Sequence, residues 1–286
     1  ISNSFLMESS KITHHPIIDE SILGPDSSVG GGECISSLIG PHIGFHHQAL
    51  LISSVWPYGR GNLAYGTMVG ANHTGRQPSQ EAYIGEGILF GLGVGIKFPI
   101  QMMKSQYSMV TSGVVLLPQR ISMPLSLITM PTTTLNSNRH SNSSGDSISP
   151  MLPLIKPGWV YVGNTYMLAR NNYKYKKSSK SKFYKTSFDI LRRHVVVDIY
   201  HAKKLLEKLL NESQNDSMIK SGHSGTVCYT EKECKALGKC VLLHDDLIAG
   251  ISQYTTLVHR WSIKVMMENN SRVLVGGDAT SSSSNS

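Results

Sequence analysis

The sequence predicts a mainly β protein built as a parallel β-helix, and two observations carry that prediction. Apolar residues recur at six-residue intervals through the first half of the chain, and the composition combines 26 glycines with only 16% charged residues. A fixed short period is the signature of a repeat architecture. A hexapeptide period points to stacked β coils, each placing an apolar side chain inward at the same position. The glycine-rich, charge-poor composition fits a fold of tight turns.

The beat opens after residue 16 with Ile17, Leu23, Val29 and Ile35. It shifts phase and continues through Ile39, Phe45, Leu51, Leu63 and Val69, with Pro57 at the missing step. A loop from Asn72 to Tyr83 interrupts it. It restarts at Ile84, Phe90 and Ile96, shadowed by Ile88 and Val94, and runs on through Met103, Met109, Val115, Ile121 and Leu127. We therefore assign residues 1–131 to the β-helix. Residues 132–150 are rich in Ser and Asn with few large apolar side chains, which predicts a disordered insert. Residues 151–278 read as a mostly helical extension. It holds one helix over 188–210 and a second over 243–267, whose middle Gly250 weakens. Residues 279–286 form a disordered tail.

With 286 residues and 40% hydrophobic content the chain can build a substantial core. It begins with Ile, which we read as the mark of a fragment or the end of a longer protein; the portion in hand holds no N-terminal stretch that could form a separate catalytic domain. No apolar run approaches the roughly 20 residues that span a bilayer, so no membrane partner is expected. Cys34, Cys228, Cys234 and Cys240 match no common zinc spacing and read as reduced, buried thiols of a cytoplasmic protein. The net charge of +8 concentrates between Arg170 and Lys185, where seven cations alternate with Tyr173, Tyr175, Phe183 and Tyr184. Cations with aromatics can bind nucleic acid. No recognised nucleic-acid motif accompanies the run, so a solvated loop is the favoured reading.

The densest polar cluster is Asn72-His73-Thr74-Gly75-Arg76, where the beat fails. Arg76 suits an anion held by paired hydrogen bonds, and His73 suits proton transfer near neutral pH. Glu81 and Glu86 flank the loop's return, and either could orient His73 or pair with Arg76. Arg120 precedes a core position and should point outward, available to a ligand or a neighbouring subunit; Lys97 stands in the same relation to Ile96. His42, His46 and His47 form a second cluster, but adjacent strand residues face opposite sides, so no metal site is assigned. The glycines of 85–95 alternate with apolar residues and lead to no helix, which marks solenoid corners rather than a phosphate loop.

The blocks VGANHTGRQPSQEAYIGEGILFGLGVGIKFP (69–99), LLPQR (116–120) and PGWV (157–160) resemble a family of long bacterial and protist proteins. Its members carry a domain of unknown function related to hexapeptide-repeat acyltransferases and sugar nucleotidyltransferases. The resemblance covers roughly residues 20–260 outside the Ser/Asn insert. It implies a left-handed parallel β-helix and brings no established catalytic residues. Under it, the leading expectation is a transferase-like protein acting on a nucleotide sugar or another phosphorylated metabolite, with acyl-CoA or a nucleotide sugar as co-substrate. His73 is then the catalytic base, and Asn72, Thr74, Arg76, Glu81 and Arg120 bind substrate. Hexapeptide transferases with sites between subunits imply a homotrimer. The alternatives are a non-catalytic β-helix scaffold and a metal-dependent hydratase of the gamma-carbonic-anhydrase type.

Overall fold

The computed structural model describes residues 1–70, 80–131, 152–185, 187–215 and 227–277; side chains are described to residue 213 within the long 193–215 helix and to residue 269 in the last helix. The predicted insert at 132–150 and the tail at 279–286 lie outside these residues.

Residues 5–70 and 82–129 form a parallel β-solenoid of about 6 turns, with short strands on three faces. Face I holds seven strands, from Phe5–Leu6 to Gln119–Arg120. Face II holds eight, from Lys11–Thr13 to Leu127–Thr129 and then Leu154–Lys156, which pairs antiparallel with Leu127–Thr129. Face III holds six, from Ile17–Asp19 to Val115–Leu116. The antiparallel strand covers what would otherwise be an open parallel edge, a liability for pairing with other chains.

Each face stacks one inward column. On face I the column includes Leu23, Ile39, Trp56, Ile84 and Met102. On face II it includes Val29, Phe45, Leu63, Phe90, Val110 and Ile128. On face III it is Ile18, Cys34, Leu51, Val69, Ile96 and Leu116. Trp56, rather than Pro57, fills the missing beat. It is wholly buried, lies edge-on to Phe90 and donates its indole N–H to the Gly85 carbonyl at 2.7 Å. Gly61 permits this, because a Cβ there would sit 1.9 Å from the indole ring.

Beyond Trp56, the inward register departs from a strict hexad in six further places. Ile18, Cys34, Met102, Val110, Leu116 and Ile128 face the core, in place of the expected Ile17, Ile35, Met103, Met109, Val115 and Leu127. Ile17 and Val115 are about half exposed, at 53% and 48%. The cause is coil length. Ile18 and its partner Cys34 lie 16 residues apart, whereas Phe90 and its partner Val110 lie 20 apart. Corners thus lose or gain a residue, and a one-residue slip turns a strand's side chains to the other face. Serines stitch the shorter corners: Ser37 N–H donates to Ser21 Oγ and Ser54 N–H to Ser37 Oγ, both at 3.1 Å. The glycines of 85–95 fall largely at turns between strands, as expected.

The extension is helical but is more than a distal cap. Helices α1 (Trp159–Gly163) and α2 (Thr165–Ser178) turn back along the solenoid. Successive contacts of α2 and the segment after it move to earlier coils. Asn164 lies against Met109, Tyr175 O–H donates to the Arg60 carbonyl, and the segment after α2 reaches Asp26 and Glu8. Helix α3 (Arg193–Asn215) starts five residues later than the sequence suggested, and α4 spans His244–Gly277. Gly250 does not break α4. It lets the helix approach Pro157 and Leu206 closely, since a Cβ there would meet them at 3.1 and 3.2 Å. Among the described residues no helix is long and apolar enough to cross a membrane.

The basic run is therefore helix and strap in place of a free loop, while its cations are exposed to solvent as expected. Its first part is helical, and residues 179–184 form a strap clasped by two solenoid carboxylates. Asp26 accepts from the Ser179 hydroxyl and from the Lys180 and Ser181 N–H groups. Glu8 accepts from the Ser181 hydroxyl at 2.6 Å and from the Lys182 and Phe183 N–H groups at 2.7 and 3.1 Å. These bonds, the Ser181 hydroxyl foremost, hold the Glu8 carboxyl below its ordinary value.

Two predictions follow from this geometry. Leu116→Ala costs about 2–5 kcal/mol by urea denaturation, whereas Val115→Ala costs about 0.5 kcal/mol or less; equal losses would refute the register. A Glu8 pKa depressed on folding makes the clasp's contribution full above the unfolded carboxyl value and lost as pH falls through the folded one. Hydrogen exchange near pH 5 should show protected Lys182 and Phe183 amides in the parent, and unprotected ones in Glu8→Gln.

Candidate functional site

Asn72, His73, Thr74 and Arg76 lie outside the described residues, but the ends of their segment are fixed. Gly70 closes a face III strand (Met68–Val69) and donates its N–H to the Ile96 carbonyl at 3.1 Å. Glu81 immediately precedes the face I strand Ala82–Ile84. The segment thus leaves face III and returns to face I.

On face I the strand register gathers the other two candidates. Tyr83, Gln101 and Arg120 are Cα partners on three successive strands and lie in one outward row. Tyr83 O–H donates to Glu81 at 3.2 Å. A groove of about 400 Å³ brings Glu81 and Arg120 together, floored by Gln101 and edged by Pro99 and Pro118. Arg120 is exposed, as its place before buried Ile121 predicted, and has no ion-pair partner among the described residues. On its other side it reaches a hollow of about 360 Å³ that also includes Lys104, Lys208 and Lys235. Asp198, Glu212 and Glu233 line the same hollow, and Lys104 and Lys208 pair with the first two, so Arg120 is the unpaired guanidinium there that can dock a carboxylate or phosphate.

Glu86 does something else. It is 1% exposed, and its described partners come from elsewhere in the chain. One carboxylate oxygen accepts from Arg60 Nε at 3.2 Å, from Arg192 Nη2, and from the Tyr107 hydroxyl at 2.8 Å. The other lies 3.2 Å from His194 Nε2, and that imidazole stacks on Tyr58. Arg60 is itself buried, with its guanidinium over the Phe188 ring. Burial, followed by the Glu86 charge, drives the Tyr107 phenol far above its ordinary value, so it remains a proton donor. This cluster joins three successive coils to the chain entering α3. The sequence does carry a trace of it: Arg60 and Glu86 each sit between glycines at solenoid corners. The second arginine comes from 106 residues further on, and no local pattern announces that.

The histidines do not form one cluster, but for a reason other than strand alternation: all three lie at the corners flanking the strand Gly44–Phe45. His42 is buried, His46 is exposed and lies 3.1 Å from Asn62, and His47 packs beside His14. No group of three or more His, Cys, Asp or Glu side chains among the described residues could hold a metal ion. Cys34, Cys234 and Cys240 are buried free thiols, with burial pushing Cys34 up to about 11 and Cys240 up to about 12; Cys228 is free and half-buried.

Removing Glu86 leaves the buried Arg60 guanidinium and the partly buried Arg192 guanidinium without their counter-charge. Glu86→Ala should therefore lower unfolding stability by about 3–5 kcal/mol, read by denaturant titration. A loss below about 1 kcal/mol would show that the cluster does not hold the extension to the solenoid.

No protein-family model matches the chain, and no solved structure matches it. It is similar to an uncharacterized protein of Treponema pallidum (strain Nichols), 23% identical over 189 residues. That match covers 65% of this chain and 24% of the Treponema protein, so the chain spans about a quarter of the relative's length. The likeness carries no named activity.

Proposed function

We propose that this chain is a transferase-like β-solenoid that binds a phosphorylated metabolite, a nucleotide sugar or an acyl-CoA, in the face I groove. The observation that carries the reading is the convergence of Glu81 and unpaired Arg120 beside the point where residues 71–79 rejoin the solenoid. Arg120 and Arg76 hold the anionic group, and Thr74 and Asn72 supply hydrogen bonds. His73 takes the proton from the acceptor hydroxyl or amine. In acyl transfer the acceptor atom bonds to the acyl carbon as its C–S bond breaks, and the proton passes to the leaving thiolate. Asn72 or a backbone N–H steadies the intervening oxyanion. A cytoplasmic homotrimer, with each site completed by a neighbouring subunit, fits this reading.

A second reading, a non-catalytic scaffold or oligomerisation module, is favoured by a different observation. Phe5, Ile22 and Leu38 form an outward apolar row on the same face, each more than two-fifths exposed. Exposed contiguous apolar surface commonly marks a protein–protein contact.

Thermal-shift and calorimetric titration of the whole chain with a UDP-hexose and with acetyl-CoA tests the leading reading. One of them should bind, and Arg120→Ala should weaken it at least about tenfold, the scale of a lost charge-assisted hydrogen bond. Turnover should vanish in His73→Ala with folding intact. No binding by either compound, or binding indifferent to Arg120, would leave the scaffold.

A further inference from the structure

A cavity of about 600 Å³ lies on a different face, between the outer surface of face II and α2. Its volume falls in the range of small-molecule sites, roughly 300–1,000 Å³. Its floor is apolar, with Leu89 and Met109 among the outward residues of face II. Asn62 adds an amide beside them, and Arg170 and Lys174 stand on the α2 rim.

His42 sets this cavity apart from an ordinary crevice. It lines the cavity and is only 3% exposed, yet neither ring nitrogen has a hydrogen-bond partner among the described residues. Its ring is fixed between those of Tyr175 and Phe188, with both centroids 5.6 Å away. Buried polar side chains almost always find a partner, so an orphaned, rigidly packed imidazole points to one supplied from outside the chain. Burial, against the pull of Asp26 and with the push of Arg60, holds its pKa below the ordinary value. The neutral ring keeps one donor and one acceptor.

The charge balance says what the ligand carries. Asp26 is the carboxylate lining this cavity, and its oxygens are taken up by the Ser179 hydroxyl and the Lys180 and Ser181 amides. Arg170 and Lys174 have no ion-pair partner among the described residues. The cavity therefore combines an apolar floor, a neutral donor–acceptor pair and three unpaired cations, Arg170 and Lys174 on α2 and Lys11 on the solenoid.

We propose that it binds a nucleoside phosphate. The base lies on the Leu89–Met109 floor with its edge toward His42 and Asn62, and the phosphate meets Arg170 and Lys174. This site is independent of the face I groove.

Calorimetric titration of the full chain with AMP, UMP and inorganic phosphate decides it. One nucleotide should bind saturably and at least tenfold more tightly than phosphate. The exposed pair Arg170→Ala/Lys174→Ala should weaken it at least tenfold with an unchanged circular dichroism spectrum. His42→Gln should also weaken it, and Arg120→Ala should leave it intact. Failure of both nucleotides to bind, phosphate binding as tightly as either, or binding unmoved by the double variant would overturn the proposal. Loss of nucleotide binding in Arg120→Ala alone would place the ligand in the face I groove, sinking this proposal while sparing the reading given above.

Discussion

The structure depends on inward side chains stacking in register from one coil to the next. A single coil of two- and three-residue strands cannot bury its apolar side chains alone; its stability is shared with the coils above and below. Hence Leu23, Ile39 and Trp56 form a column, and serine hydroxyls bridge successive coils at their corners. The same constraint turns alternate residues outward in rows. Tyr83, Gln101 and Arg120 are brought together by that rule and by nothing else. The candidate groove on face I is thus a by-product of the core's regularity.

Glu86 supplies what stacking cannot, a joint between the solenoid and the chain that follows it. A buried ion cluster gains little net stability over apolar packing of equal volume, because desolvating each charge opposes the attraction. Its geometry is demanding, however. Arg60 comes from one coil, Tyr107 and Glu86 from others, and Arg192 from the residue before α3. All meet at one carboxylate, so only one placement of the α3 entrance leaves the charge compensated. We take the cluster's role to be fixing that placement.

The β-solenoid was legible because repetition makes each inward residue a witness for the others. Leu23, Val29, Phe45, Leu51, Leu63 and Val69 are all buried as the beat requires. It misled where the sequence offers two apolar neighbours, as at Ile17-Ile18, Val115-Leu116 and Leu127-Ile128. There periodicity cannot choose the phase, and corner length does. The outward direction of Arg120 was readable from its neighbour Ile121, and its company with Glu81 was not, because pairing across strands depends on coil length. The basic run hid its structure for a different reason. Its partners Glu8 and Asp26 lie more than 150 residues away, and a stretch of lysines and tyrosines looks the same whether it is solvated or clasped.

That clasp bears on more than the strap. Helix α2 is anchored near one end by Asn164 against Met109, and just past the other by the strap on Glu8 and Asp26. Between these anchors Tyr175 O–H holds the Arg60 carbonyl, while burial pushes that phenol up to about 12 and keeps it a donor across the neutral range. The cavity over face II is the space these fixed points leave. Its width is set by the same Asp26 whose charge would otherwise compete for Arg170 and Lys174. Binding the strap's amides therefore does two things at once: it positions the helix that roofs the cavity, and it occupies the carboxylate oxygens that could otherwise pair directly with the cavity's cations. An asparagine at that position could still accept hydrogen bonds from the strap through one oxygen, but it could not satisfy three donors with two carboxylate oxygens. The roof and the cations are physically coupled through one side chain.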